Sequence, residues 1–163
     1  MIHYVCKYTP LELFKGFGEE CAVLEEMPKN FELSDQIAHA NLCGFGKSVI
    51  QAVLEGKVEQ LVLVNCCDSM RRVYDIVEST GKCKFLYMLD MPHEDNDCEK
   101  VKLAQGIHRL KKAYEKFSGK TFDRSGFLNA FSHEPVDNQP YIGVLGVRVS
   151  GILEKMIRDN IQM

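Results

Sequence analysis

A chain of 163 residues with 45% apolar and 26% charged residues is long enough to bury a core without disulfide staples. Its net charge of −3 gives no electrostatic case for nucleic acid, and no apolar run approaches the ~20 residues of a membrane span. The opening "MIHYVCKYTPLELF" lacks a basic segment followed by an apolar one, so it does not read as a secretory signal and the chain reads as cytoplasmic.

Taken in order, "IHYVC" (2–6) predicts a short strand and "TPLELFKGFG" a helix. In that helix Thr9 caps, Pro10 stands at the first position, Glu12 completes a capping box and Gly18 ends it. "CAVLEEM" (21–27) predicts a second strand, and 29–42 is irregular or partly helical. "GFGKSVIQAVLEG" (44–56) places Val49, Ile50, Val53 and Leu54 on one helical face. "VEQLVLVN" is a nearly continuous apolar run, as an inner parallel strand requires. "DSMRRVYDIVESTG" predicts a helix capped by Asp68 or Ser69 and stopped by Gly81. "KFLYMLDMP" predicts a fourth strand. The helix after it, "NDCEKVKLAQGIHRLKKAYEKFSG", carries Val101, Ala104, Ile107, Leu110, Tyr114 and Phe117 at helical spacing. A short helix at "DRSGFLNAFSH", a fifth strand at "YIGVLGVRV" and a helix at "GILEKMIRDNI" follow.

Strands alternate with helices, which predicts an α/β fold with a mainly parallel sheet of about four or five strands covered on both faces. "SHEPVDNQP" (132–140) has two prolines and little apolar content. The division expected is an N-terminal α/β domain over 1–134, a linker over 135–140, and the opening of a second α/β unit over 141–163 that is cut short.

Seven cysteines, with no C-x-x-C spacing, argue against a disulfide framework, a zinc knuckle and a thioredoxin-type pair. Cys21, Cys83 and Cys98 read most simply as small buried hydrophobes. The others stand where ligands gather in a parallel sheet, at the carboxyl ends of the strands. Cys66 and Cys67 fall between the third strand and its helix. Cys43 precedes a helix that must start at the same edge, so it can meet Cys66 and Cys67 in space. Cys6 ends the first strand at that edge too. Helix N-termini favour thiolates and anionic clusters, and soft thiolates suit iron–sulfur chemistry.

Other residues have simpler roles beside functional ones. Gly44 and Gly46 lack a full dinucleotide fingerprint and read as easing a tight loop near a bulky ligand. Asp68 and Ser69 read as caps. Arg71 and Arg72 read as a solvated helix face, or as a bidentate hold on an anionic substrate. His39 reads as a loop histidine, or as a donor to a cluster sulfur or a substrate oxygen.

"VCKYTPLELFKGFG", "HANLCGFGKSVI", "VNCCDSMRRVYDI", "FLYMLDMPH" and "YIGVLGVRVS", in this order, resemble the 2-hydroxyacyl-CoA dehydratase D-component family, which includes benzoyl-CoA reductase subunits and double-cubane cluster proteins. The resemblance implies a Rossmann-like three-layer domain and a low-potential four-iron four-sulfur cluster. It implies an ATP-hydrolysing activator protein that injects one electron, and an acyl-CoA substrate that loses water through a ketyl radical. A homologous second subunit or a homodimer is implied as well.

Carried over residue by residue, the cluster ligands are Cys43 in "NLC" and Cys67 before "DS"; Cys66 is an extra neighbour here. A further ligand from the second domain is implied and is not found in this sequence, so the chain alone is expected to be inactive and to hold little cluster. Two alternatives stand beside this reading: an ATP-dependent double-cubane-type reductase component, and a metal-free α/β interaction or scaffold domain.

Overall fold

The computed structural model describes residues 1–25, 27–131 and 151–160, the last of these without the side chains of 151–153. The chain separates into two compact units, Met1–Ser132 and His133–Met163. The expected linker over 135–140 and the fifth strand at 141–149 lie outside the described residues.

In the first unit four strands form one sheet: β1 (Ile2–Tyr4), β2 (Cys21–Val23), β3 (Gln60–Val64) and β4 (Phe85–Leu89). Their order is β2-β1-β3-β4, and each neighbouring pair is parallel. The helices are α1 (Leu11–Lys15), α2 (Ser34–Ile37), α3 (Gly44–Leu54), α4 (Asp68–Thr80), α5 (Asp97–Ser118) and α6 (Arg124–Asn129). β3 is buried along almost its whole length, as an inner strand covered on both faces must be.

The order 2-1-3-4 fixes the layers. The step from β1 to β2 runs one way along the sheet, and the steps to β3 and β4 run the other way. Right-handed crossovers therefore send α1 to one face and α3 and α4 to the opposite face. The core divides accordingly. Val49, Ile50 and Val53 of α3 meet Met70, Val73 and Val77 of α4 over Leu61 and Leu63. On the other face Leu13, Phe14 and Phe17 meet Leu110 and Tyr114 of α5 over Ile2, Val62 and Phe85. The architecture is an α/β three-layer, Rossmann-like domain.

Several local expectations need correction. The helix after β1 begins later than expected: Pro10 holds the capping position with no side-chain bond, and the Thr9 hydroxyl is buried without a partner. α4 begins after Cys67, likewise without a side-chain cap, so Asp68 and Ser69 lie in its first turn. There the Asp68 carboxylate still complements the helix dipole. α5 starts on Asn96, whose side chain accepts from the Glu99 amide. Gly81 and Gly119 end α4 and α5 at φ +62° and +67°, a left-handed conformation in which a Cβ is costly. The apolar stripe expected on α5 is only partly covered. Leu110 and Tyr114 are buried, whereas Val101 and Phe117 face solvent.

Gln51 is 1% exposed inside the apolar face of α3. Its Oε1 accepts from the amides of Leu33 (3.1 Å) and Ser34 (2.8 Å), and its Nε2 donates to Glu55 (2.9 Å). A buried amide with all these bonds made holds α2 and the segment before it against α3. In the second unit the one described element is α7 (Gly151–Asn160), where Arg158 pairs with Glu154 one turn away at 2.7 Å.

Candidate functional site

The strand order creates a switch point between β1 and β3, whose outgoing connections leave toward opposite faces. In open α/β sheets a crevice forms there, outside the carboxyl ends of the strands. Cys6 lies just past β1, and Asn65, Cys66 and Cys67 lie just past β3. Cys6 is half-buried, and Cys66 and Cys67 are exposed.

Asn65 builds this edge. It is 8% exposed, and its backbone N–H donates to the Leu89 carbonyl at 3.1 Å. Its Nδ2 donates to Asp90 Oδ1 at 2.7 Å, and its Oδ1 accepts from the Met91 amide at 2.8 Å. These three bonds fasten the end of β3 to the end of β4. The Cys66 amide then turns back onto the Val64 carbonyl at 2.7 Å. The sequence signal for Asn65 was a single amide closing an apolar strand, and its role could not be read before the β3–β4 pairing was known.

Cys67 and Cys43 occupy equivalent places, each the N-cap of a long helix on the same face of the sheet. Cys43 Sγ accepts from the Gly46 amide at 3.3 Å, a cap bond to the third residue of the helix. Gly46 brings the two helices together. A Cβ built there would lie 3.1 Å from Val73 Cγ2 of α4 and 3.2 Å from Leu42 Cγ. Gly46 therefore serves helix packing, while at Gly44 a Cβ meets nothing within 4 Å.

Two cavities flank the first turns of α4. One, of about 430 Å³, lies between α4 and the loop before Cys43; His39, Asn41, Leu42, Asp68, Ser69 and Arg72 line it. His39 Nδ1 accepts from the Asn41 amide at 3.1 Å. The other, of about 600 Å³, is lined by Asn65, Arg71, Tyr74, Tyr87 and Asp90 among others. Arg72 pairs loosely with Asp75 at 3.4 Å, the solvated-face role, while also lining both cavities.

Burial pushes the Cys66 thiol up to about 11, and the neighbouring Cys67 and Cys6 push it the same way. Burial does the same at Cys83, also to about 11. Cys21 and Cys83 are half-buried, but Cys98 is exposed, so it is not the buried hydrophobe expected. Among the described residues, no three His, Cys, Asp or Glu side chains converge closely enough to hold a metal ion.

At pH 8, iodoacetamide should alkylate Cys66 more slowly than it alkylates a short cysteine peptide, because the raised thiol pKa leaves less of the reactive thiolate. Time-resolved peptide mapping measures this; labelling at the peptide's rate would contradict it.

No described helix is long and apolar enough to cross a membrane. No curated protein matches the chain. The family model of the 2-hydroxyglutaryl-CoA dehydratase D-component matches residues 6–134, a span holding Cys6, Cys43, Cys66 and Cys67 and all of β2 to β4. With its parallel sheet and its thiols at the carboxyl edge, the chain belongs to the 2-hydroxyglutaryl-CoA dehydratase D-component family.

Proposed function

We propose that the first unit is an α/β interaction domain of a D-component-type assembly, and that by itself it holds no metal. It presents its thiol edge to a second copy or to a homologous subunit. The observation that carries this reading is the arrangement of thiols: Cys43, Cys66 and Cys67 are exposed along one sheet edge, yet no three donors among the described residues close a metal site. Labelling tests it. As chain concentration rises and sedimentation velocity shows assembly, alkylation of Cys43 and Cys67 should slow. Alkylation of Cys83, next to the amino end of β4, should not change. Equal rates at every concentration, or assembly that leaves the edge open, would contradict the reading.

A second reading is favoured by the matched positions of Cys43 and Cys67. Both are N-caps on one face of the sheet, and Gly46 packs their helices together. In that reading the two thiolates would hold a four-iron four-sulfur cluster jointly with ligands from beyond this domain. A cluster spreads its ligands over separate irons, so it does not require the tight convergence that one ion needs. Bound there, it would supply low-potential electrons. The subunit would then serve dehydration of a 2-hydroxyacyl-CoA after ATP-driven one-electron activation, or reduction of a small molecule in a double-cubane-type reductase. The backbone N–H groups at the starts of α3 and α4 would favour the cluster's negative charge.

A further inference from the structure

We propose that the outer edge of β4 is a docking surface for a second copy of this chain, which adds its own β4 antiparallel and joins the two sheets into one. The inference goes beyond the interaction-domain reading, because this edge is separate from the thiol edge and uses no cysteine.

Among the described residues the sheet ends on β2 at one side and on β4 at the other. An unpaired edge offers backbone N–H and C=O groups to any strand that meets it, and proteins protect such edges with short strands, charges or proline. β2 has that protection, with only three residues. β4 does not: it runs for five residues, Phe-Leu-Tyr-Met-Leu, without a charge or a proline. Its central residues Leu86, Tyr87 and Met88 are only half-buried. The cavity of about 600 Å³ that Tyr74 of α4 lines together with Tyr87, Met88 and Asp90 lies between α4 and β4, so α4 leaves this side of the strand open.

The pairing with β3 fixes the phase of the backbone. The Phe85 amide donates to the Glu59 carbonyl at 3.2 Å, and the Leu89 carbonyl accepts from the Asn65 amide at 3.1 Å. Along a parallel strand the residues alternate between facing their neighbour and facing away. Phe85, Tyr87 and Leu89 therefore turn their backbone groups toward β3, and Leu86 and Met88 turn theirs outward. An added strand must bond to those two residues.

Antiparallel pairing about a two-fold axis at Tyr87 satisfies both. Leu86 then exchanges two hydrogen bonds with the partner's Met88, and Met88 does the same with the partner's Leu86. Phe85 stands opposite the partner's Leu89, so every pair within the strand is apolar. Just outside the strand, Lys84 comes level with the partner's Asp90, once at each end. This charge complementarity selects a second copy as the occupant, and it selects the register. Moving the axis to Leu86 sets Lys84 against the partner's Met88, and moving it to Met88 sets Asp90 against the partner's Leu86. Both charged groups are accessible: Asp90 is exposed, and Lys84 makes only an exposed pair with Glu59 at 2.8 Å, which holds it weakly. Cys83 turns its thiol inward onto the Glu59 carbonyl at 3.3 Å, so docking at this edge leaves its labelling unchanged.

The test begins with the 163-residue chain free of substitutions. Sedimentation velocity gives the dimer fraction over a dilution series, and residue-resolved hydrogen exchange follows the amides. Where about nine-tenths of the chain is dimeric, the Leu86 and Met88 amides should exchange about tenfold more slowly than in the monomer, because they exchange only from the monomer. Tyr87→Cys lies on the axis and should form a disulfide between chains at that position. The Cα atoms of a non-hydrogen-bonded antiparallel pair are about 4.5 Å apart, within reach of a bridge. Leu86→Cys and Met88→Cys should not bridge, since each sits diagonal to its own copy at about 7–8 Å. Lys84→Glu sets like charges opposite each other at both ends and should raise the dimer dissociation constant roughly tenfold. A monomer at every concentration, a dimer whose Leu86 and Met88 amides exchange as fast as in the monomer, or a bridge at 86 or 88 in place of 87 would overturn the inference. Alkylation of Cys43 and Cys67 in the same samples separates it from the interaction-domain reading. Slowed amides beside open thiols would support docking at β4 and contradict that reading, and slowed thiols beside unprotected amides would do the reverse.

Discussion

Replacing Tyr114 by alanine should cost about 3–5 kcal/mol of folding stability, a large share of the total for a domain of this size. Tyr114 is 1% exposed, and its ring is the hub of the aromatic core between α5 and the sheet. The rings of Phe85, Phe17 and Phe14 stand edge-on to it at 5.0, 5.1 and 5.3 Å. Alanine removes all three contacts and opens a void that rigid neighbours on α1 and β4 cannot fill. Tyr114→Phe keeps the rings together and loses only the hydroxyl, which donates to Gln60 Oε1 at 3.2 Å. That change should cost about 1 kcal/mol. Urea unfolding of both variants measures the difference. Equal losses would mean that the hydrogen bond, and not the aromatic packing, holds α5 in place.

Gly46→Val should destabilise by about 1–3 kcal/mol, although glycine within a helix is normally the poorer residue by about 1 kcal/mol. The sign is what makes the variant informative. The added Cβ lies 3.1 Å from a methyl of Val73, and Val73 is fully buried with nowhere to retreat. Either α3 moves away from α4 or Val73 leaves its rotamer. Since Cys43 stands three residues before Gly46 and caps through its amide, a shifted α3 also moves Cys43 relative to Cys67. A lower urea midpoint with an unchanged slope would match this. A variant as stable as the wild type would mean that α3 and α4 are not in close contact at this point.

The parallel sheet and its helices were legible because β3 is apolar throughout and α3 and α4 carry apolar faces at helical spacing. The carboxyl-edge position of the thiols followed from the alternation of strands and helices alone. Three features were not legible. The strand order, which makes β1 and β3 neighbours, depends on which crossover goes to which face. The burial of Gln51 was hidden because a polar residue on an apolar helix face looks like an interruption until its partners, the amides of Leu33 and Ser34, are known. The exposure of Val101 was hidden because apolar spacing on α5 runs past the edge of the sheet it covers. The caps expected at Thr9, Asp68 and Ser69 failed for one reason: the residues that occupy the capping positions are Pro10 and Cys67, and neither side chain makes a capping bond.

Iron and acid-labile sulfide counted per chain, after anaerobic reconstitution of the 163-residue chain alone, test the interaction-domain reading most directly. Two thiolates leave iron open to oxidation and loss, and metal held by too few ligands adds little to stability. The expected result is a count well below one cluster per chain, falling further in Cys43→Ser and Cys67→Ser and unchanged in Cys21→Ser. A stable, stoichiometric cluster on the isolated chain would contradict the reading, because the domain would then supply a complete ligand set from its own thiols.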